Sequence, residues 1–189
     1  MKSILIRTVF YLTLSVLFMA CATKRPALIP VAATVSAESE GLTASLTFRD
    51  DAGLNREFGN EANPYRTEYN KMQFRRRMVF ELTLSNGASQ DYRFQLADCE
   101  LQYGGKTVRA TSAFQLIEEW RLMDSSRKMA AQKEPIIKKT LVATQKMVPP
   151  GTTLRGLVLF QGNLPAHGLA RITIPGIEER SYLQFDYEF

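Results

Sequence analysis

Apolar and polar residues alternate with a period of two along much of this chain. Such alternation places successive side chains on opposite faces of a strand and therefore predicts half-buried β-strands. Ser85-Asn86-Gly87 and the Tyr103-Gly104-Gly105-Lys106 segment separate consecutive strands, as turns of an antiparallel meander do. The pattern predicts a mainly β fold. Its strand segments are residues 42–48, 78–84, 92–101, 107–110, 153–160, 170–174 and 182–189.

The period changes to three and four residues between positions 112 and 146. Ser112 is a suitable N-cap for the first helix of this segment. Glu134-Pro135 predicts the start of a second helix with proline at an early position. Residues 140–148 are compatible with either helix or strand. The segment is therefore predicted to be a helical insertion, whose first helix is marked by Phe114, Leu116, Ile117, Trp120 and Met123.

Two segments lack regular periodicity. Residues 22–40 contain Pro26, Pro30 and many small residues, and are predicted to form a flexible tether. Residues 49–71 contain glycine, asparagine and the Asn63-Pro64-Tyr65 turn, and are predicted to form a long irregular loop. Long loops in compact domains are often functional.

The first residues have the organisation of a signal peptide. Lys2 and Arg7 precede residues 9–19, which carry no charge. This apolar run is shorter than the roughly 20 residues needed to span a bilayer. It ends in Leu17-Phe18-Met19-Ala20-Cys21, which resembles the lipobox of bacterial lipoproteins, although Phe18 and Met19 depart from it. The alternative is an ordinary secretory peptide followed by a chance cysteine.

The lipobox resemblance implies that residues 1–20 are removed and that Cys21 carries lipid, with palmitate as a typical acyl chain. Each buried methylene adds about 0.8 kcal/mol of membrane affinity, so several acyl chains form a durable anchor. Ala22, rather than aspartate, follows the cysteine. In enteric-type sorting this implies the outer rather than the inner membrane, with the protein facing the periplasm.

Charge and cysteine content narrow the possibilities further. Loss of Lys2 and Arg7 with the signal peptide lowers the formal charge from +5 by two, to +3. This mild charge does not predict nucleic-acid binding. Cys99 is the remaining thiol of the mature chain, so no intramolecular disulfide is expected. Its place in an alternating segment predicts a buried structural thiol.

Several of the strand segments resemble the immunoglobulin-like domains of secreted bacterial lipoproteins of the telokin-like, DUF4352 type. The resemblance is carried by residues 79–86, the Gly104-Gly105-Lys106 turn, and Val148-Pro149-Pro150-Gly151 followed by Gly156-Leu157-Val158-Leu159-Phe160. It covers about residues 78–110 and 147–189, and the helical segment departs from it as an insertion. The resemblance implies an immunoglobulin-like antiparallel β-sandwich and supplies no catalytic residues.

The chain offers few groups for chemistry. His167 is the sole histidine, and with one mature thiol it cannot form a zinc site. Ser125-Ser126-Arg127-Lys128 matches the Ser-x-x-Lys spacing of penicillin-recognising enzymes but lacks their companion motifs. The adjacent acidic pairs Asp50-Asp51 and Glu118-Glu119 are interpreted as solvated surface. No catalytic, metal-binding or cofactor-binding residues are therefore predicted.

Two features are candidate partner contacts. Arg75, Arg76 and Arg77 form the densest basic segment, which suits anionic headgroups or an acidic partner. Their alternative role is gatekeeping charge before an apolar strand. Trp120 is the only tryptophan, either packed against the sandwich or exposed as an anchor for a partner.

These observations predict three regions: a signal peptide at 1–20, a lipidated tether at 21–40 and a sandwich domain at 41–189. The expected function is a lipid-anchored, non-enzymatic binding or assembly module of the cell envelope, with the membrane and an envelope protein as partners. One alternative is a Ser-Lys hydrolase. The other is a protease-inhibitor-like sandwich, in which the loop at 49–71 protrudes as the inhibitory element.

Overall fold

The computed structural model describes residues 27–66, 76–123, 128–164 and 167–189. Cys21, Arg75, Ser125 and Ser126 lie outside these ranges. The helices are α1 (Asp51–Phe58), α2 (Ala113–Met123) and α3 (Lys128–Thr140). The strands are β1 (Thr34–Ser39), β2 (Leu42–Arg49), β3 (Arg76–Asn86), β4 (Tyr92–Gln95), β5 (Glu100–Tyr103), β6 (Lys106–Arg109), β7 (Gln145–Val148), β8 (Thr153–Gly162), β9 (Leu169–Pro175) and β10 (Tyr182–Glu188).

The strands form two facing antiparallel sheets and a short ribbon. Sheet I has the order β1-β2-β3-β8, and sheet II has the order β10-β9-β5-β6. Strands β4 and β7 pair with each other in the ribbon. The two sheets approach at one side, where Ala110, just after β6, forms an isolated bridge with Phe160 of β8.

The space between the sheets is filled by the apolar residues of the alternating strands. In β3, Phe80 and Leu82 are fully buried, while Glu81 between them is exposed. From sheet II, Ile172 and Phe185 contribute to the same core cluster. Alternation thus gives each sheet one apolar face. The predicted mainly β, antiparallel sandwich is confirmed.

The helical insertion adds a third layer on the outer face of sheet I. Val79 of β3 and Leu159 of β8 point away from the sandwich interior and belong to a second buried cluster with Leu116 of α2 and Ile137 of α3. Residues 76–80 of β3 and 157–160 of β8 are therefore buried on both faces of the sheet. The predicted insertion is confirmed, and it covers apolar surface that the sandwich alone would leave in water.

The predicted tether at 21–40 requires correction, because its last residues belong to the folded body. Residues 34–39 form β1, which pairs with β2 along its whole length. Just before it, Val31 N donates to Glu188 O at 2.8 Å, and Leu28 is buried in the sandwich core. The folded body therefore begins before Gly41.

The predicted irregular loop also requires correction. Residues 51–58 form α1, which Asp50 caps by accepting a hydrogen bond from Gly53 N at 2.7 Å. Further along, Asn63 and Tyr65 are fully buried. The described part of the segment, up to residue 66, therefore contains a capped helix and a buried turn instead of an irregular loop. Residues 67–71 of the predicted loop lie outside the described residues, so the inhibitory-loop alternative stays a prediction.

The second helix of the insertion begins earlier than predicted. α3 starts at Lys128, so Pro135 lies inside the helix and not near its start. A proline within a helix lacks the N–H that would donate to the preceding turn. Residues 145–148, which the sequence left open between helix and strand, form β7.

Candidate functional site

Two of the predicted contact residues, Trp120 and Arg77, meet between α2, α3 and β3. The Arg77 guanidinium carbon lies 5.1 Å from the Trp120 ring centroid, and the Lys133 Nζ lies 4.4 Å from it. Arg77 also forms an ion pair with Glu119 at 3.2 Å. These four residues are called the Trp120 cluster below. Its two cations lie within the distance at which a tryptophan ring attracts positive charge.

The Trp120 cluster holds the segment that follows α1. Trp120 Nε1 donates to Pro64 O at 2.9 Å, and Arg77 Nη1 donates to the same carbonyl at 3.2 Å and to Arg66 O at 2.6 Å. The Lys133 ammonium donates to Glu61 O. Three backbone carbonyls of residues 61–66 thus accept from side chains of β3, α2 and α3, which fixes this segment against the helical layer.

This arrangement changes the interpretation of the predicted contact residues. Trp120 is 2% exposed. Of the two alternatives that the sequence left open, it is therefore packed and is not an exposed anchor. Arg76 and Arg77 are buried, so neither the headgroup contact nor the gatekeeper role describes them. Arg75 lies outside the described residues. The sequence analysis did not single out Lys133, because its neighbours come from distant parts of the chain.

Cys99 lies in the sandwich core, as predicted. It is fully buried, with its Sγ 3.6 Å from Gln95 O. Burial, followed by the charge of Asp98, raises the pKa of the Cys99 thiol to about 12. Because the thiolate is the reactive form, this thiol is protected from modification at neutral pH.

Three of the four carboxylates in the two acidic pairs form structural contacts. Asp50 caps α1, and Glu118 forms an ion pair with Arg121 at 2.6 Å. Glu119, interpreted from the sequence as solvated, pairs instead with the buried Arg77. His167 is exposed, as predicted for a loop histidine. Among the described residues, no three histidine, cysteine, aspartate or glutamate side chains converge on a metal position.

The outer side of the helical layer exposes apolar side chains that the sequence analysis did not separate from the buried ones. Phe114 is 72% exposed and Leu122 is 86% exposed. They lie eight residues apart on the outward side of α2, with Glu118 midway between them. Met123 and Met129 are also exposed, near the adjoining ends of α2 and α3. These four residues are called the α2 patch below.

Paired charges lie within and around the α2 patch. Arg121 contacts Glu118 at 2.6 Å and Glu134 at 2.9 Å, and Lys138 contacts Glu134 at 2.7 Å. Two carboxylates and two cations thus balance one another. Exposed apolar side chains together with paired charges are a composition found in protein–protein contacts.

A shallow groove of about 580 Å³ lies on sheet II beside the β5–β6 turn. Its walls contain Lys106 and an ion pair between Arg171 and Asp186, whose Nε and Oδ1 atoms are 2.8 Å apart. Lys106 Nζ donates to Asn163 O at 3.1 Å. The groove's charged side chains are thus engaged with one another or with the backbone.

Within the described ranges, no helix has the length and apolar character required to cross a membrane.

Comparison with known proteins gives likeness in structure without likeness in sequence. No family model and no curated protein matches the chain. A "putative lipoprotein (ycdA)" of Bacillus subtilis matches with a TM-score of 0.48 at 8% identity, covering 81% of this chain. This chain spans 38% of the length of that protein. Membership of the telokin-like, DUF4352-type family therefore stays a prediction.

Two further solved structures are similar to this chain. The yjhA protein of Bacillus subtilis matches with a TM-score of 0.43 at 10% identity, covering 78% of this chain and 82% of its own. A functionally unknown protein of Listeria monocytogenes EGD-e matches with a TM-score of 0.45 at 10% identity, covering 87% of this chain and 86% of its own.

Proposed function

We propose that this protein is a lipoprotein of the bacterial cell envelope, anchored through Cys21, which binds another envelope protein and has no enzymatic role. The observation that carries the lipid attachment is the end of the apolar run at Cys21. The burial of Cys99 supports it, because the second cysteine of the chain is enclosed in the core and inaccessible to acyl transfer. Ala22 favours the outer membrane, with the domain facing the periplasm.

Acyl labelling tests the anchor. A labelled fatty acid supplied to the expressing cells should be incorporated into the wild-type protein and not into Cys21→Ser. The matched control is Cys99→Ala, which removes the other cysteine and should retain the label. Equal labelling of wild type and Cys21→Ser, or loss of label in Cys99→Ala alone, would refute attachment at Cys21.

The α2 patch supports the choice of a protein as binding partner. Phe114 and Leu122 present apolar surface to solvent on a helix that is already fixed to sheet I by its other face. Because the charges of the patch are balanced in ion pairs, the patch gains little attraction to anionic headgroups. Exposed apolar side chains interspersed with paired charges suit a protein surface of similar composition.

Site-specific crosslinking tests the partner contact. A photoreactive side chain at Phe114 should crosslink an envelope protein in intact cells, and one at the exposed Gln184 on sheet II should not. Adding Leu122→Asp should abolish the crosslink from position 114 while the protein remains lipidated and folded. Crosslinks that are equal at both positions, or that persist with Leu122→Asp, would exclude the α2 patch as the contact.

The contacts of the acid–base residues support a role in binding rather than catalysis. Asp50 caps α1, Glu118 forms an exposed ion pair with Arg121 on the same helix, and Glu119 pairs with the buried Arg77. The Ser-Lys hydrolase alternative depends on Ser125, which lies outside the described residues. Treating the protein with a fluorophosphonate or penicillin probe tests that alternative, since a reactive serine would acquire the label covalently.

A further inference from the structure

The chain enters the folded body at one end of the sandwich. Val31 N donates to Glu188 O at 2.8 Å, and Phe48 N donates to Ala33 O at 2.7 Å. Glu188 is the last residue of β10 and lies opposite Leu169, the first residue of β9. The residues that precede β1 are thus fixed beside the C-terminal end of β10 and the start of β9.

The same end exposes large apolar side chains. Val31 is 80% exposed and Leu169 is 73% exposed, and they lie on either side of Glu188. Ile29, two residues before Val31, is also exposed. The end of the sandwich that carries Ile29, Val31 and Leu169 is called the anchor end below.

The length of the intervening chain limits how far the anchor end can lie from a lipid at Cys21. Six residue steps separate Cys21 from Ala27, where the described structure begins. Even fully extended, they span about 20 Å. The opposite end of β10, at Tyr182, lies about 20 Å from Glu188, since each strand residue advances about 3.3 Å. A lipid on Cys21 therefore holds the anchor end close to the bilayer.

We propose that the anchor end rests on the bilayer surface, with Ile29, Val31 and Leu169 in contact with lipid, and that this contact orients the domain. The proposal depends on the lipid attachment proposed above. Glu188, with an exposed side chain, lies between Val31 and Leu169. Because burial of a carboxylate in hydrocarbon is costly, the contact is with the headgroup and upper acyl region rather than the membrane interior.

This orientation has a consequence for the helical layer. The α2 patch lies on the outer face of sheet I and not among the residues of the anchor end. A domain whose anchor end contacts lipid keeps that end towards the membrane. The α2 patch then has a fixed orientation relative to the bilayer when it binds a partner. A freely rotating domain on a loose tether would not provide this restriction.

Site-directed fluorescence on the lipidated full chain tests the proposal. Leu169→Cys and Tyr182→Cys place a label at opposite ends of the exposed face of sheet II, and Tyr182 is also exposed, which makes it a matched control. Cys99 does not compete for the label, because it is buried with a raised pKa. The labelled proteins are reconstituted into vesicles of phosphatidylethanolamine and phosphatidylglycerol containing lipids with a quencher near the headgroup.

The expected result is loss of about half or more of the fluorescence at position 169 and little loss at position 182, because interfacial groups lie within about 5–10 Å of the headgroups. Equal quenching at the two positions, or none at either, in protein that floats with the vesicles would overturn the orientation alone. A blue shift at position 169 without quenching would overturn it in favour of a protein contact, including a second copy of this chain.

Mass spectrometry of the purified protein separates this inference from the proposed function. If Cys21 carries no acyl group and the protein fails to float with vesicles, the lipid anchor and the orientation fail together. If Cys21 is acylated and the protein floats, only the quenching pattern decides. The Cys21→Ser variant, kept in solution with the same vesicles, supplies the unquenched reference for both labels.

Discussion

A side-chain carbon on Gly156 would lie 2.9 Å from the Cα of Val142. Glycine at this position of β8 therefore allows the chain that leaves α3 to lie directly on the strand. The contact is fixed by a hydrogen bond from Val142 N to Leu157 O at 2.9 Å and by a parallel bridge between Leu141 and Leu157. The helical insertion is thus joined to sheet I through backbone contact and not through side chains alone.

We predict that Gly156→Ala destabilises the protein by about 1–3 kcal/mol, because the added methyl group meets backbone atoms that can move only with the end of α3. Urea denaturation measures the change in the free energy of unfolding. Gly162→Ala on the same strand is the control, since its methyl group would meet the side chain of Val108 at 3.3 Å. Side chains adjust more easily than backbone, so an equal loss in the two variants would contradict this explanation.

We predict that the Cys99 thiol does not react in the native protein at neutral pH. Burial raises the pKa of this thiol to about 12, so its thiolate is scarce as well as inaccessible. A chromogenic disulfide reagent should give no signal with the Cys21→Ser protein until denaturant is added, and one thiol per chain afterwards. Rapid reaction under native conditions would mean that the core around Cys99 opens readily.

The period of apolar residues was sufficient to predict the sandwich because each strand has one face in the core. Leu82 and Phe185 lie where alternation places them. Burial of sheet I on its second face was also encoded in the sequence, by the uninterrupted apolar residues 157–160, a pattern typical of strands covered on both sides. The helical layer over β8 was therefore predictable as a structural element.

β1 was missed because its residues are small and polar, which resembles a tether. Its place is fixed by pairing with β2, and the residues from 34 to 39 give little local indication of that pairing. For α1, in contrast, the sequence did contain a signal: Asp50 before the helix and Gly59 after it are typical capping residues.

The Trp120 cluster was not predictable from spacing. Arg77 is buried because Glu119, Trp120 and the carbonyl of Pro64 surround its guanidinium group. These groups come from separate parts of the chain, before and after β3, and a charged residue read alone is expected at the surface. An arginine can be buried only with a complete set of partners, and these partners come together only when the chain folds.

We predict that Glu40→Gln weakens the protein at neutral pH and that the difference disappears in acid. Glu40, in the β1–β2 turn, accepts from Ser181 Oγ at 2.6 Å, Ile177 N at 2.8 Å and Glu178 N at 3.0 Å. The hydrogen bond from Ser181 is the largest cause, followed by that from Glu178 N, of a pKa lowered from the ordinary value of 4.5. A carboxylate with a lowered folded-state pKa stabilises above its unfolded pKa, and this stabilisation is lost as the pH falls.

Melting temperatures measured from pH 7 down to pH 3 check this prediction. The wild type and Glu40→Gln should differ by a constant amount near neutrality and converge below about pH 4.5. Glu38→Gln removes an exposed carboxylate from β1 and should stay within about 0.5 kcal/mol of the wild type. A difference for Glu40→Gln that persists unchanged into acid would show that the charge of Glu40 is not responsible.

We predict that Trp120→Ala destabilises the protein by about 3–5 kcal/mol, as removal of a large buried aromatic side chain does. The substitution also removes the donor to Pro64 O and the ring beside Lys133 and Arg77. For a domain of this size, the melting temperature should fall by about 10 °C or more. Thermal unfolding followed by circular dichroism measures the fall.

Phe114→Ala is the matched variant, because it removes an exposed aromatic residue from the same helix. It should change the free energy of unfolding by less than about 0.5 kcal/mol and yet weaken the crosslink that a photoreactive side chain at Leu122 forms with the envelope partner. Trp120→Lys, if tolerated with little loss of stability, would show that the indole is not packed between the helices and β3. The two aromatic residues of α2 thus separate the inner face, which stabilises the fold, from the outer face, which we propose binds the partner.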